Sequence, residues 1–317
     1  MTSQIHEYAV KRALSAIPVL VIVSFVVVAL IRMVPGDPAL MMLGADADPE
    51  QVEALRESMG FNQPLYVQYV EYMSGVVRGD FGYSYMGDQD VTTAIVRRLP
   101  ISVTVALGGL IVSLTIAIPA GTISALKQDT PSDYAALTFG LLGVSIPNFW
   151  LGIMLLMIFA VSLGWFPVTG YVAVWDDPVA GIRYLVLPSI TLGTAMAAIV
   201  TRMLRAEMLE EIRKEYRNAL QMKGVTRTRV LRHVMKNSFI PVITVIGMQV
   251  GYLLGGTIII EEVFSIPGMG RLLLSSIFSR DYMMLQGVVI VYTALFVAVN
   301  AIVDITYFYL NPKLRGR

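Results

Sequence analysis

The sequence predicts an all-α membrane protein with six transmembrane helices and a folded external insertion after the first of them. The 317 residues are 56% hydrophobic and only 15% charged, with a mean hydropathy of +0.66, outside the range of soluble domains. Six stretches free of Asp, Glu, Lys and Arg approach or exceed the about 20 residues that a span requires. They are 13–31, 101–126, 134–175, 184–201, 237–260 and 282–303.

The third stretch, 134–175, is too long for one span. The turn residues Gly164 to Pro167 predict that its membrane part ends there, which leaves Trp165 and Trp175 in an external interfacial loop. One tilted helix is the favoured interpretation, because Pro kinks are tolerated in membrane helices. The alternative is a pair of short helices broken at Ser145-Ile146-Pro147.

The distribution of charge predicts the orientation. Sixteen of the 24 Lys and Arg residues lie in the N-terminus, the 127–133 loop, the 202–240 loop and the tail after Tyr309. Loops rich in Lys and Arg stay in the cytoplasm, so both termini are expected inside, in a multi-pass protein of the inner (cytoplasmic) membrane. The predicted domains are 1–31 (N-terminus and first span), 32–100 (external insertion), 101–310 (five-helix core with the 202–240 loop) and 311–317 (cytoplasmic tail).

The insertion at 32–100 carries 5 basic and 10 acidic residues and is far too long for a simple connection. Asp48 followed by Pro49 predicts a helix start, with Asp48 as the cap. A second amphipathic stretch follows Pro64 at helical spacing. Two helices that lie on the membrane surface or on the helix bundle are therefore expected.

Several chemistries are excluded by residue content. The chain has no cysteine and two histidines, so thiolate and multi-histidine metal sites are not expected. No lysine is followed by Ser or Thr, so the chain lacks a P-loop, and any ATP must act on another subunit. Asp304 is the acidic residue near a span, and contact with headgroups or with a basic neighbour such as Arg202 is favoured over a proton relay. We expect neither an enzyme nor a bound cofactor.

The 202–240 segment, here called the basic loop, contains 10 basic and 4 acidic residues. Apolar residues from Met203 to Leu220 recur at helical spacing and form one stripe. Gly224 is predicted to end this helix, after which a short basic helix runs toward Pro241. Basic amphipathic helices of this kind serve either as lipid anchors or as docking surfaces, and both interpretations remain open at this stage.

One part of this loop resembles a known family. The run from Tyr216 to Gly224, followed by Arg232-His233 and the run from Asn237 to Pro241, is similar to the coupling (EAA) loop of binding-protein-dependent ABC importer permeases. The closest likeness is to the dipeptide/oligopeptide/nickel/glutathione group. Asn218 and Leu220 depart from the general motif. Further motifs of that group occur in order at 32–38, 60–65, 68–69, 79–82, 145–149, 187–189, 261–270 and 311–312.

The resemblance implies the type I ABC importer permease fold, with the loop docked on an ATPase. The implied ATPase-coupling residues are Tyr216, Ala219, Leu220, Lys223, Gly224, Arg227, Arg229 and Arg232. Gly224 is expected to let the two helices of the loop approach closely. The residues implied for the external gate and for docking of a binding protein are Pro35, Gly36, Asp37, Gly79, Asp80, Phe264, Pro267 and Gly268.

The resemblance also implies the partners. These are a second homologous permease, two ATP-binding subunits that hold ATP and Mg, and a periplasmic or lipid-anchored solute-binding protein, within membrane lipid and without nucleic acid. The implied solute is a di- or oligopeptide or a glutathione-like molecule. The alternative function is a passive channel or a membrane scaffold whose basic loop is a lipid anchor.

Overall fold

The structure is a computed structural model, and it describes residues 2–33, 40, 43, 47–58 and 62–310. Over these residues the chain is helical apart from loops and one small hairpin. The elements are α1 (Thr2–Met33), α2 (Pro49–Ser58), α3 (Leu65–Val77), β1 (Tyr83–Ser84), β2 (Gln89–Asp90), α4 (Val91–Leu126), α5 (Pro131–Ser145), α6 (Asn148–Leu155), a π-helical segment (Leu156–Ser162), α7 (Pro178–Arg213), α8 (Glu215–Met222), α9 (Arg227–Val263), α10 (Met269–Phe278) and α11 (Tyr282–Leu310).

In the part of the chain that the structure describes, five helices are long and apolar enough to cross a membrane, namely α1, α4, α7, α9 and α11. The π-helical segment continues α6, and α5 followed by this extended helix forms a broken apolar pair. By length and composition, the described residues therefore contain five candidate spans, or six if the broken pair crosses the membrane once. These elements coincide with the six apolar stretches of the sequence, and the all-α membrane fold is confirmed.

The third apolar stretch differs from the favoured interpretation. It forms two helices bent by 102° at the break between Ser145 and Asn148, so the expectation of one tilted helix is wrong and the two-helix alternative is right. Pro147 has no backbone N–H and disfavours helical geometry in Ile146, which adopts an extended ψ of 123°. The helix cannot continue through this pair.

The contacts within the chain divide it into two compact units. The first comprises Met1–Arg12, Ile101–Arg271 and Phe296–Arg317. Its centre is α7, which packs against α5, α6 and α9. About two-thirds of the most apolar part of α7 is buried. Small residues allow this closeness. A Cβ on Gly193 would lie 2.5 Å from the Gly109 carbonyl oxygen, and one on Gly143 would lie 2.9 Å from the Ala198 Cβ.

The second unit comprises Ala13–Pro100 and Leu272–Leu295. Asp48 caps α2, since its Oδ1 accepts from the Glu50 amide at 3.1 Å, and both helices expected in the insertion are confirmed. Tyr69 fixes α3 to α1 through a 2.8 Å hydrogen bond with Ser24. Asp281 caps α11 and accepts a hydrogen bond from Ser84 of the hairpin. The domain bounds expected from the sequence stay a prediction, because these units divide the chain by packing alone.

Asp304 pairs with Arg12 of α1 and not with Arg202. Both partners belong to the first unit. The pairing joins residues almost at the two ends of the sequence, which explains why local spacing did not indicate it. An ion pair is one of the two structural roles that the sequence favoured for Asp304, and its partner is Arg12.

Candidate functional site

The basic loop is formed by the end of α7, the whole of α8 and the start of α9. At 1.5 Å per residue, the 36 residues of α7 extend about 54 Å, well beyond the about 30 Å core of a bilayer. The polar end of α7 therefore projects out of the membrane as a continuation of the span. In the same way α9 runs without interruption from Arg227 through Pro241 to Val263, so the expected short helix ending near Pro241 is wrong.

A second break, at Lys214, separates α7 from α8. Lys214 adopts an extended ψ of 144°, so the helix expected to continue to Gly224 ends ten residues sooner. Glu211, 8% exposed, accepts hydrogen bonds from Lys214, from the Tyr216 hydroxyl at 2.9 Å and from the Asn237 amide at 3.4 Å. One carboxylate thus connects α7, α8 and α9. Lys214 also pairs with Glu210, at 3.7 Å.

Contacts with Glu211 stabilise the charged form of Lys214 and the neutral form of Tyr216. The hydrogen bond to Glu211 raises the pKa of Lys214 above its ordinary value. Burial raises the pKa of Tyr216, and its hydrogen bond to Glu211 raises it further. Near neutral pH Lys214 is therefore a cation and Tyr216 a neutral donor, which is the combination that a carboxylate acceptor requires.

Gly224 ends α8 in a Schellman motif. Its φ is +74°, the Val225 amide donates to the Leu220 carbonyl at 3.1 Å, and the Gly224 amide donates to the Gln221 carbonyl at 3.0 Å. A Cβ at Gly224 would meet no atom within 4 Å. The glycine is therefore needed for its left-handed backbone, and the expectation that it permits close helix approach is wrong.

The sequence-predicted coupling residues fall on different faces of α8. Tyr216 and Leu220 are half-buried, turn toward α9, and line a groove of about 390 Å³ with Ala219 and Lys223. A stripe at i, i+3, i+4 and i+7 is exposed, here called the outward face, and it shares Ala219 with the groove. It consists of Glu215, Asn218, Ala219 and Met222, and Met222 is 83% exposed.

The three arginines expected to take part in coupling lie in the first two turns of α9 and are exposed. Arg227 lines a groove of about 500 Å³ with Arg217 and Gln221 of the α8 segment. Arg232 lines a separate, largely apolar groove of about 620 Å³ along α9. The structure therefore places Arg227 beside α8, and Arg229 and Arg232 further along the same helix.

The turn between α9 and α10 is organised by a buried carboxylate. Glu261 is fully buried and accepts from the Ser102 hydroxyl at 2.6 Å and from the Gly270 and Arg271 amides at 2.7 and 3.1 Å. It thereby caps the first turn of α10. A Cβ on Gly268 would lie 2.5 Å from the Glu261 Cδ, so the carboxylate occupies the space that the glycine leaves.

Of the other residues expected in the external gate, Phe264 and Pro267 lie in this turn, and Gly79 and Asp80 follow α3. Phe264 is buried, whereas Pro267 is exposed. Gly79 has a φ of +87° and ends α3, with the Asp80 amide donating to the Gly75 carbonyl at 3.0 Å. Asp80 accepts from the Gly82 amide at 2.8 Å. Pro35, Gly36 and Asp37 lie outside the described residues.

Comparison with known families decides what kind of protein carries this loop. The family described as the binding-protein-dependent transport system inner membrane component matches residues 117–316. Its N-terminal membrane component matches residues 5–107. The chain belongs to this family of ABC importer permeases. It is therefore a transport subunit with the type I importer permease fold.

Several curated relatives align with the permease over nearly their whole length. A putative peptide transport system permease of Brucella abortus (strain 2308) is 38% identical over 306 residues, covering 96% of this chain and 98% of the relative. One from Brucella suis biovar 1 is 38% identical over 305 residues, with 96% and 97% covered. A glutathione transport system permease of Escherichia coli (strain K12) is 37% identical over 310 residues, with 98% and 99% covered.

The permease loop contains one contact and one exposed face that the sequence did not indicate. Glu211 and Asn237 are separated by 26 residues, so no local pattern indicates that they meet. The outward face could have been found, because Glu215, Asn218 and Met222 follow helical spacing opposite Tyr216. Tyr216 and Leu220 hold α8 against α9, while the outward face is free to meet another molecule.

Proposed function

We propose that this permease forms, with a second homologous permease, the path of an ABC importer for short peptides or a glutathione-like solute. The substrate class is inferred from the relatives, which are named peptide and glutathione transport permeases. Two separate ATP-binding subunits hold ATP and Mg and drive the cycle, and a periplasmic or lipid-anchored binding protein delivers the solute. The permease itself holds no cofactor.

The observation that carries this proposal is the construction of α8. It is a separate helix of 8 residues, terminated at one end by the Glu211 cluster and at the other by the Gly224 turn. Such a short, fixed helix with an exposed face is suited to dock in a cleft and to transmit a displacement to the two long helices beside it. A lipid anchor requires a broad apolar face, and on the outward face Met222 and Ala219 are interrupted by Glu215 and Asn218.

The proposal also includes an orientation. With the basic loop docked on an ATPase, α8 lies in the cytoplasm, both termini are cytoplasmic, and α5 with α6 counts as the sixth span of an inner-membrane protein. The 32–100 insertion and the Phe264–Gly268 turn then lie on the external side, where the binding protein arrives. The charge distribution over the loops supports the same orientation.

Uptake by the whole complex tests the proposal. Proteoliposomes that contain both permeases and both ATPases, with ATP inside, would be given the binding protein and labelled glutathione or a mixture of labelled di- and oligopeptides. We expect uptake that requires both ATP and the binding protein. Equilibration of the label without ATP would contradict the proposal and would indicate a passive channel.

A further inference from the structure

Asp133, near the start of α5, is the most completely satisfied carboxylate of the described residues outside the loops discussed above. Its side chain is 1% exposed. Arg205 of α7 donates Nε–H to Oδ1 and Nη2–H to Oδ2, both at 2.7 Å. The Ser124 hydroxyl donates to Oδ1, and the Asp129 amide donates to Oδ2 at 3.0 Å.

This arrangement is specific in its geometry. A buried carboxylate is unfavourable unless every lone pair has a partner, and the planar guanidinium of Arg205 supplies two parallel donors that a lysine cannot reproduce. The four donors come from the end of α4, the following loop and α7. Asp133 therefore fixes the start of α5 to α7 in one position.

The point of attachment lies close to the proposed coupling helix. Arg205 is about two helical turns before Arg213, where α7 ends and the chain enters α8. A displacement of α8 is thus applied to the same short stretch of α7 that holds Asp133.

Contacts continue from α5 toward the turn at Phe264–Gly268 between α9 and α10, here called the Phe264 turn. Gly140 and Gly143 pack on α7, where ideal Cβ atoms would lie 3.3 Å from the Arg202 Cγ and 2.9 Å from the Ala198 Cβ. After the break, a Cβ on Gly152 of α6 would lie 3.2 Å from the Phe264 Cε2. All of these residues belong to the first unit. Across the break the chain itself joins α5 to α6, and α6 packs on α7 and α9.

We propose that Asp133 and Arg205 are positioning residues for coupling, because they fix α5 to α7 so that a displacement of α8 also moves α5, α6 and the Phe264 turn. This inference rests on the proposed docking of α8 on an ATPase. It assigns a role in transport to two residues that touch neither solute nor nucleotide.

Distance and accessibility measurements on the assembled complex in nanodiscs test the inference. The permease has no native cysteine, so cysteines at Leu141 of α5 and Ala206 of α7, both exposed, can carry spin labels before assembly with the partners. In a second preparation, P267C reports the Phe264 turn through its rate of reaction with a membrane-impermeant maleimide. Both readings are taken without nucleotide and after trapping with ATP and vanadate.

In the parent permease we expect the same 141–206 distance in both states, and a maleimide rate at P267C that differs between them. Asp133→Asn and Arg205→Lys are expected to broaden the distance distribution and to bring the ratio of the two maleimide rates to about one, while vanadate still traps nucleotide. Arg205→Lys keeps the positive charge and provides the test on its own if Asp133→Asn fails to fold.

The control is Glu53→Gln, which removes an exposed ion pair with Arg56 and should behave as the parent.

Three outcomes would overturn the inference. They are a parent P267C rate that does not respond to nucleotide, a parent 141–206 distance that changes between states, or variants that keep the full response. Failure of the underlying functional proposal has a different signature, because the parent permease would then assemble with no ATPase and trap no nucleotide.

Discussion

Replacing Gly224 with valine is expected to abolish ATP-driven uptake while leaving the membrane helices folded. Gly224 has a φ of +74°, and a β-branched residue is strained there by about 1 to 3 kcal/mol. The turn can relieve this strain only by reorienting α8 relative to α9. A penalty of that size lowers the population of the docking-competent loop by about 5- to 150-fold, which would be measured as ATPase affinity and as initial uptake rate.

The matched control is Gly224→Asn. Asparagine adopts the left-handed conformation far more readily than valine, and a Cβ at this position meets no atom within 4 Å. We therefore expect the asparagine variant to retain most of the activity. If valine and asparagine reduced uptake equally, the conformational role of Gly224 would be wrong.

Replacing Met222 with aspartate is expected to weaken binding of the ATPase by about 30-fold or more, because loss of a central apolar contact at an interface costs about 2 kcal/mol or more. Met222 is 83% exposed, so the change has little effect on the stability of the permease itself. The dissociation constant of the ATPase from the detergent-solubilised permease pair measures the effect, and thermal unfolding reports stability.

Met222→Leu preserves the apolar contact and should bind the ATPase as the parent does. The comparison also distinguishes docking from lipid anchoring. If aspartate reduced binding to vesicles of anionic lipid but left the ATPase affinity unchanged, α8 would be a lipid anchor and the docking assignment would fail.

The features of the fold that depend on local chemistry were predictable. Apolar length located the five long apolar helices and the broken pair, Asp48 with Pro49 located the start of α2, and Gly224 located the end of α8. The two helix ends depend on residues within one helical turn of one another, where backbone geometry and capping dominate. Pro147 marked the break in the third stretch, although the sequence alone did not decide between a kink and the observed bend of 102°.

The features that depend on distant residues were not predictable in the same way. Glu211 meets Asn237 beside the break at Lys214, and nothing in the local sequence interrupts the apolar stripe there. Asp133 and Arg205 are 72 residues apart, and Pro241 is tolerated within α9 because neighbouring helices can compensate for the lost backbone hydrogen bond. The position of the loop was therefore foreseen, while the division of its residues between the two faces of α8 required the structure.

Docking of the outward face of α8 on an ATP-binding subunit can be detected by site-directed cross-linking. A photoactivatable cross-linker on M222C, in a chain without native cysteine, would be activated in the assembled complex. The same cross-linker on V179C, which is 74% exposed at the far end of α7, provides the comparison. We expect a cross-link from position 222 to the ATPase and none from position 179. A cross-link from position 222 to lipid alone, with the ATPase present and active, would contradict it.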